Sequence, residues 1–302
     1  MIVSFWGVRG SIPVPGKSTI RYGGNTPCVT IEQDDTLIII DCGTGLRVLG
    51  QKLSAESDGD PINAHILISH THWDHIQGFP FFKPAFIPKN SFTIYGAKGV
   101  NRQIEDTLAG QMESPYFPVA LEAMAATLNF EAIDEQTFTI GKLEIETYKL
   151  NHPGNALGFR ISGVDGSMVY ISDHEPFYRL TTTALAGGED DQEKLDFAKS
   201  RDSAYTDFIK GADLLIEDSP YTKDEYTSRA GWGHACIDDV VEIALAGGVT
   251  KLALFHHEPM HDDSKMDEIV SYCRNLLQPN DKLDVFAAQE GIQIKLPLSP
   301  SP

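Results

Sequence analysis

The sequence predicts an α/β layered architecture in which β-sheets are flanked by helices. Short apolar runs of strand type recur along the chain, each bounded by Gly, Pro, Asn or Asp. Segments with apolar residues at helical spacing stand between them. The strand-type runs fall into two batches, each interleaved with helices, which favours layered sheets over an all-β sandwich.

The first batch comprises "IVSFW" from Ile2, "CVTIE" from Cys28, "TLIIID" from Thr36, "HILIS" from His65 and "FTIYG" from Phe92. Within it, Thr44 to Glu56 has helical spacing, with Thr44 placed to cap it. The second batch comprises "KLEIETYKL", "ALGFRISG", "SMVYISD", "ADLLIEDS" and "KLALFHHE". Ile237 to Ala246 reads as a helix between the last two, and Ser264 to Leu277 as another. Two segments look inserted, at about 97–126 and 181–211; the second carries an acidic stretch read as exposed and helical. One domain over residues 1–297, with a Pro/Ser tail at 298–302, is the simplest organisation.

Composition narrows the function. The net charge is −19, with 24 Lys plus Arg against 43 Asp plus Glu, so a broad basic surface is not expected. Attraction to nucleic acid or anionic lipid is weak or opposed, and a large nucleic-acid partner is disfavoured. Cys28, Cys42, Cys236 and Cys273 form no close pair, which fits a reducing compartment. The start, "MIVSFWGVRG", has no charged leader, and no apolar run approaches a membrane span, so a cytoplasmic protein is expected.

The chemistry concentrates in "SHTHWDHIQG", which sets His70, His72, Asp74 and His75 on one turn after a strand. A lone histidine is usually a surface or core residue. Four potential ligands in six positions are different, because such crowding is costly unless something positive shares their lone pairs. Other strand ends add His152, Asp173 with His174 beside it, and the pair His256 and His257. The carboxyl ends of strands are the usual place for a site in an open α/β fold. Together these residues offer ligands for two divalent metal ions, of a mixed imidazole and carboxylate character that suits zinc, with manganese or iron as alternatives.

This set resembles the metallo-β-lactamase-fold hydrolases, whose His-x-His-x-Asp-His motif is matched in full by His70, His72, Asp74 and His75. His152, Asp173 and His256 match the later motifs in order. The resemblance implies a four-layer αβ/βα sandwich of two mixed sheets flanked by helices. It implies one metal held by His70, His72 and His152, a second held by Asp74, His75 and His256, and Asp173 bridging. Of the His256/His257 pair, His256 is favoured because it directly follows the strand.

"FWGVRGSIPVPG", "YGGNTPCV" and "IIDCGTGLRVLG" are similar to the branch containing tRNA 3′-processing endonucleases, phosphoribosyl cyclic phosphodiesterases and cyclic-nucleotide phosphodiesterases. His234 in "GWGHACIDD" falls where that branch carries a non-ligand catalytic histidine, and Asp218 where it carries an acidic partner. The chain departs from the pattern at Glu217, Pro220 and Ala235, the last removing a hydroxyl next to His234.

The implied activity is metal-dependent phosphodiester hydrolysis by a water activated between the two ions. Asp74 would orient that water, and His234, aligned by Asp218, would stabilise phosphoryl oxygens or protonate the leaving oxygen. The charge balance points to a small substrate, a cyclic nucleotide ahead of a phosphoribosyl cyclic phosphate or a tRNA 3′ end. Tyr116 and Phe117 in the first insertion are candidate substrate contacts, while Arg9 and Arg47 read as structural. A lactone or thioester hydrolase and a non-catalytic nucleotide sensor are the alternatives from other classes. Relatives often form dimers, which makes a homodimer compatible with this reading.

Overall fold

The computed structural model describes residues 1–99, 103–179 and 189–297. Residues 181–188 of the second expected insertion and the tail at 298–302 lie outside them.

Strands that end at a site must share an edge, and the topology provides one. The first sheet contains β1 (Ile2–Gly7), β2 (Cys28–Gln33), β3 (Thr36–Ile40), β4 (Asn63–Ile68), β5 (Ser91–Ala97), β6 (Thr127–Ile133) and β14 (Gln293–Lys295). Its order is β14-β1-β2-β3-β4-β5-β6, antiparallel from β14 to β3 and parallel from β3 to β6. The second contains β7 (Thr137–Ile140), β8 (Leu143–Lys149), β9 (Leu157–Gly163), β10 (Gly166–Ile171), β11 (Leu214–Asp218), β12 (Lys251–Phe255) and β13 (Asp284–Ala287). Its order is the reverse, β13 to β7, with β10 to β13 parallel and β7 to β10 antiparallel. Because β8 and β10 both run antiparallel to β9, the segments after β8, β10, β11 and β12 all leave the same edge.

Side chains alternate across a strand, so a strand covered on both faces is apolar throughout and feeds two cores. In β12, Ala253 and Phe255 join the core between the sheets, while Leu252 and Leu254 join the core under the outer helices. In β4, Leu67 faces the inner core and Ala64, Ile66 and Ile68 face outward. The outer core of the first sheet is covered by α1 (Gly45–Glu56) and α3 (Ile104–Gln111), through Leu46, Leu49, Ile104 and Leu108. The short α2 (Trp73–Ile76) lies between them in sequence. The second sheet is covered by α4 (Glu189–Ile209), α6 (Ile237–Ala246) and α7 (Asp263–Leu276), with the short α5 (Lys223–Tyr226) preceding α6. The result is the four-layer sandwich that the resemblance implied. Among the described residues no helix is long and apolar enough to cross a membrane.

Three expectations change. Thr44 does not cap α1: it is helical itself, and its hydroxyl accepts from Thr26 N and donates to Asn25 Oδ1. The acidic helix α4 is not wholly exposed, since Ala198 is buried and Tyr205, Phe208 and Ile209 are buried against the second sheet and its helices. The first insertion begins late, because Ala97 still belongs to β5.

Candidate metal centre

After β4 the chain passes His70, reaches His72 as the extended residue before α2, and turns helically through Asp74 and His75. This turn is stitched to the end of β3: Cys42 N donates to His75 O at 2.7 Å and Gly78 N to Cys42 O at 2.8 Å. A Cβ on Gly78 would lie 2.0 Å from Gly43 O, so only glycine allows the turn to sit so close.

The other segments arrive at the common edge. His152 follows β8, Asp173 follows β10, Asp218 ends β11 and His256 follows β12. His256 has φ of 56°, a left-handed conformation unfavourable for a side chain with a Cβ, and such outliers concentrate at functional sites. Ligand atoms of His70, His72, His152 and Asp173 all lie within 4.8 Å of one another, and so do those of Asp74, His75 and His256. Asp173 stands between the two groups. Its Oδ2 faces His70 Nε2 at 3.4 Å and His152 Nε2 at 3.5 Å, and its Oδ1 faces His75 Nε2 and His256 Nε2, both at 3.3 Å.

Three of the imidazoles are aimed by their other nitrogen. His75 Nδ1 donates to Asp41 Oδ2 at 2.8 Å, His152 Nδ1 donates to Gly233 O at 2.8 Å, and His70 Nδ1 faces Ser69 Oγ at 3.2 Å. This fixes the tautomers and turns Nε2 lone pairs inward, as partners behind metal-binding histidines do. Burial lowers the pKa of His72 and pushes His152 down to about 4, so both rings are neutral. Burial opposes ionisation of Asp74, but His75 and His256 outweigh it and hold the carboxyl well below its usual range.

The residues fit a divalent metal. Three buried atoms, His70 Nε2, His75 Nε2 and Asp173 Oδ1, lack a hydrogen-bond partner among the described residues and point into the cluster. Buried polar atoms are rarely left so, and nitrogen and carboxylate donors at this spacing suit a cation that shares their lone pairs. A third grouping, Asp173, Asp218, His234 and His256, overlaps the second and adds His234 at its margin.

His234 Nδ1 lies 3.2 Å from Asp218 Oδ2, and its ring stacks on His256 at 5.2 Å between centroids. Burial opposes protonation of His234, while Asp218 reverses this and raises its pKa. Ala235 offers no hydroxyl here, and its backbone N donates to Asp218 Oδ2 at 3.1 Å. His257 does not join the cluster. Its Nε2 donates to Ala288 O at 2.8 Å, and burial pushes its pKa down to about 3.

Arg9 is fully buried and structural: it donates to Gly23 O, Glu258 O and His261 O, holding the loop after β12. Arg47 is exposed on α1. Phe117 packs edge-on against Phe81 at 5.4 Å in the wall of a cleft of about 560 Å³, and Tyr116 is exposed; neither belongs to the histidine–aspartate groups.

Sequence reasoning passed over Asp41, which is fully buried at φ of 61° and accepts from Ser69 N, Ser69 Oγ, His75 Nδ1 and Tyr170 Oη. Its signal was available: an aspartate at a strand end before "CGTG", the pattern that singled out Asp173. Glu175 was also missed. It accepts from Gly231 N, Gly233 N and Tyr226 Oη, and so fastens the loop that carries His234.

The chain is similar to known proteins over most of its length. The chain is 25% identical to the ribonuclease Z of Thermoplasma acidophilum over 87% of its length and 88% of the relative's. It superposes on the metallo-β-lactamase-fold protein YhfI from Bacillus subtilis with a TM-score of 0.65 at 18% identity, covering 97% of this chain and 98% of that one. The short form of human tRNase Z gives a TM-score of 0.63 at 17% identity, covering 99% and 100%. A model of the β-lactamase superfamily domain matches residues 36–188, half of the chain. With two seven-stranded sheets and a histidine–aspartate cluster at their common edge, the chain belongs to the β-lactamase superfamily, as a metallo-hydrolase of the metallo-β-lactamase fold.

Proposed function

We propose that this chain is a phosphodiesterase that works with two divalent metal ions and cleaves at the 3′ end of an RNA chain. The observation that carries the chemistry is the position of Asp173, with one oxygen facing each set of imidazoles. His70, His72 and His152 would hold one ion and Asp74, His75 and His256 the other, with Asp173 shared. Zinc suits these donors best, and manganese and iron use the same types. Bound ions supply charge neutralisation for the phosphate and acidify a water nucleophile.

The chain's own groups do the rest. Ser11 N donates to Asp74 Oδ2 at 2.8 Å, which fixes the carboxylate that orients the attacking water. His234, with Nδ1 held by Asp218, presents Nε2 to donate a proton to a phosphoryl or leaving oxygen. Such general acid help is worth about 10² to 10⁴ in rate.

The substrate assignment rests on the relatives named ribonuclease Z, which align over most of the chain. A second reading, a small cyclic nucleotide, is favoured by the net charge of −19, which opposes a long polyanion more than a single phosphodiester. The test is zinc- or manganese-loaded protein assayed on precursor tRNA with a 3′ trailer, on 3′,5′- and 2′,3′-cyclic nucleotides and on bis(p-nitrophenyl) phosphate. Trailer removal supports the first reading. Turnover of cyclic nucleotides alone replaces it with the second, and inertness toward every phosphodiester removes both.

A further inference from the structure

We propose that Trp232 is a stacking platform for a nucleobase of the substrate, an inference that rests on the phosphodiesterase reading and deepens it. Trp232 is 60% exposed, two residues before His234. An exposed indole on a mobile loop means little, but this loop is clamped on both sides of Trp232. Gly231 N donates to Glu175 Oε1 at 2.9 Å and Gly233 N to Glu175 Oε2 at 2.9 Å. Gly233 O accepts from His152 Nδ1 at 2.8 Å, and Trp232 N donates to Arg229 O at 3.0 Å. Both flanking glycines have positive φ, 86° and 84°, which lets the backbone turn twice within three residues. The fold therefore fixes the indole's anchor to the segments that carry His152, Asp173 and His234, yet leaves its ring in solvent.

The charge of the protein says what an open ring there is for. With 24 Lys plus Arg against 43 Asp plus Glu, acidic groups outnumber the cations that could hold a nucleotide outside the metal centre. Stacking supplies affinity without opposing charge, and it tolerates any base because each has a π-face. The loop joins the cluster at two points, through His234 at its margin and through the Gly233 O–His152 Nδ1 hydrogen bond, and this adjacency is what assigns the ring to a base next to the bound phosphodiester.

The test uses zinc-loaded full-length protein, titrated with AMP and with ribose 5-phosphate by calorimetry and by tryptophan emission. The wild type should bind AMP about tenfold more tightly than the base-free ligand, the size expected of one stacked base. AMP should also quench its emission. Trp232→Ala should bring the preference close to one. Because Trp73 is 74% exposed between His72 and Asp74, the emission series is run in a Trp73→Phe background, where a further Trp232→Phe should keep the preference and lose most of the quench. Absence of a preference in the wild type, or its survival in Trp232→Ala, overturns the proposal. Hydrolysis of bis(p-nitrophenyl) phosphate by the wild type, measured in parallel, separates the two claims. No hydrolysis with an intact AMP preference defeats the phosphodiesterase reading alone; hydrolysis with a preference unaltered by Trp232→Ala defeats the stacking site alone.

Discussion

Replacing Asp41 by asparagine separates the role of its charge from that of its backbone. Asn tolerates the left-handed region better than most residues, so φ of 61° imposes little new strain. In the native protein Oδ1 accepts from Ser69 N, while Oδ2 accepts from Ser69 Oγ, His75 Nδ1 and Tyr170 Oη at 2.7 to 2.8 Å. An amide with Oδ1 kept in place sets two N–H donors against those three donors. The hydroxyls can rotate and accept, but His75 can accept only by moving its proton to Nε2. That removes the lone pair it turns toward Asp173 and Asp74. One of the three partners is left without a match, which costs roughly 1 to 3 kcal/mol of folding stability. Metal affinity should fall by about 10- to 100-fold, the usual effect of losing the partner behind a ligating histidine. Competition with a chelator of known affinity measures the metal, and thermal unfolding of the apo-protein measures the fold. Unchanged metal affinity in a well-folded Asp41→Asn protein would refute the assignment of Asp41 as the residue that aims His75.

Other perturbations test other links. Glu217 is fully buried, with burial pushing its pKa up to about 8 and Tyr205 as its hydrogen-bond partner. It stays protonated in the fold at pH values where the unfolded chain ionises, so its stabilising effect is complete below about pH 4.5 and is lost as pH rises toward 8. Glu217→Gln should therefore leave stability unchanged at pH 4 and raise it by about 3 kcal/mol at pH 7, seen in denaturant titrations at the two pH values; an equal effect at both would contradict this. Gly10→Ala would place a Cβ 2.4 Å from His256 Nδ1, forcing that ring to shift. Zinc bound per chain should fall when zinc is limiting, and unchanged occupancy would contradict the contact with His256. His234→Ala should keep its metal content while turnover of a phosphodiester falls by about 10² to 10⁴; wild-type turnover would remove its assigned role.

The histidine–aspartate grouping was legible because its residues crowd one motif and repeat one position, the end of an apolar strand. The helix Ile237–Ala246 was legible to the residue because its period is regular and Gly247 follows it. Four strands escaped notice. β13 and β14 are short edge strands of four and three residues, and β6 and β7 alternate with exposed polar residues after an insertion, so none has the apolar run that marked the others. Local sequence separates His256 from His257 only by the place of His256 directly after the strand. Their fates diverge through tertiary contacts: a left-handed backbone turns one to Asp74, and the carbonyl of Ala288 takes the other. Glu175 was invisible for the same reason, since its partners lie more than 50 residues away. The reading of charge had its own limit: a net value constrains the surface as a whole and says little about a site whose positive charge would come from bound ions.

The central claim is that imidazoles and carboxylates from separate strand ends surround a pair of cations. Anomalous diffraction from crystals of zinc-loaded protein, collected on both sides of the zinc absorption edge, tests it most directly. The account predicts two peaks, one against His70, His72 and His152 and the other against Asp74, His75 and His256, with Asp173 touching both. A single peak elsewhere, or no peak among these seven residues in protein that is saturated with zinc, would contradict it.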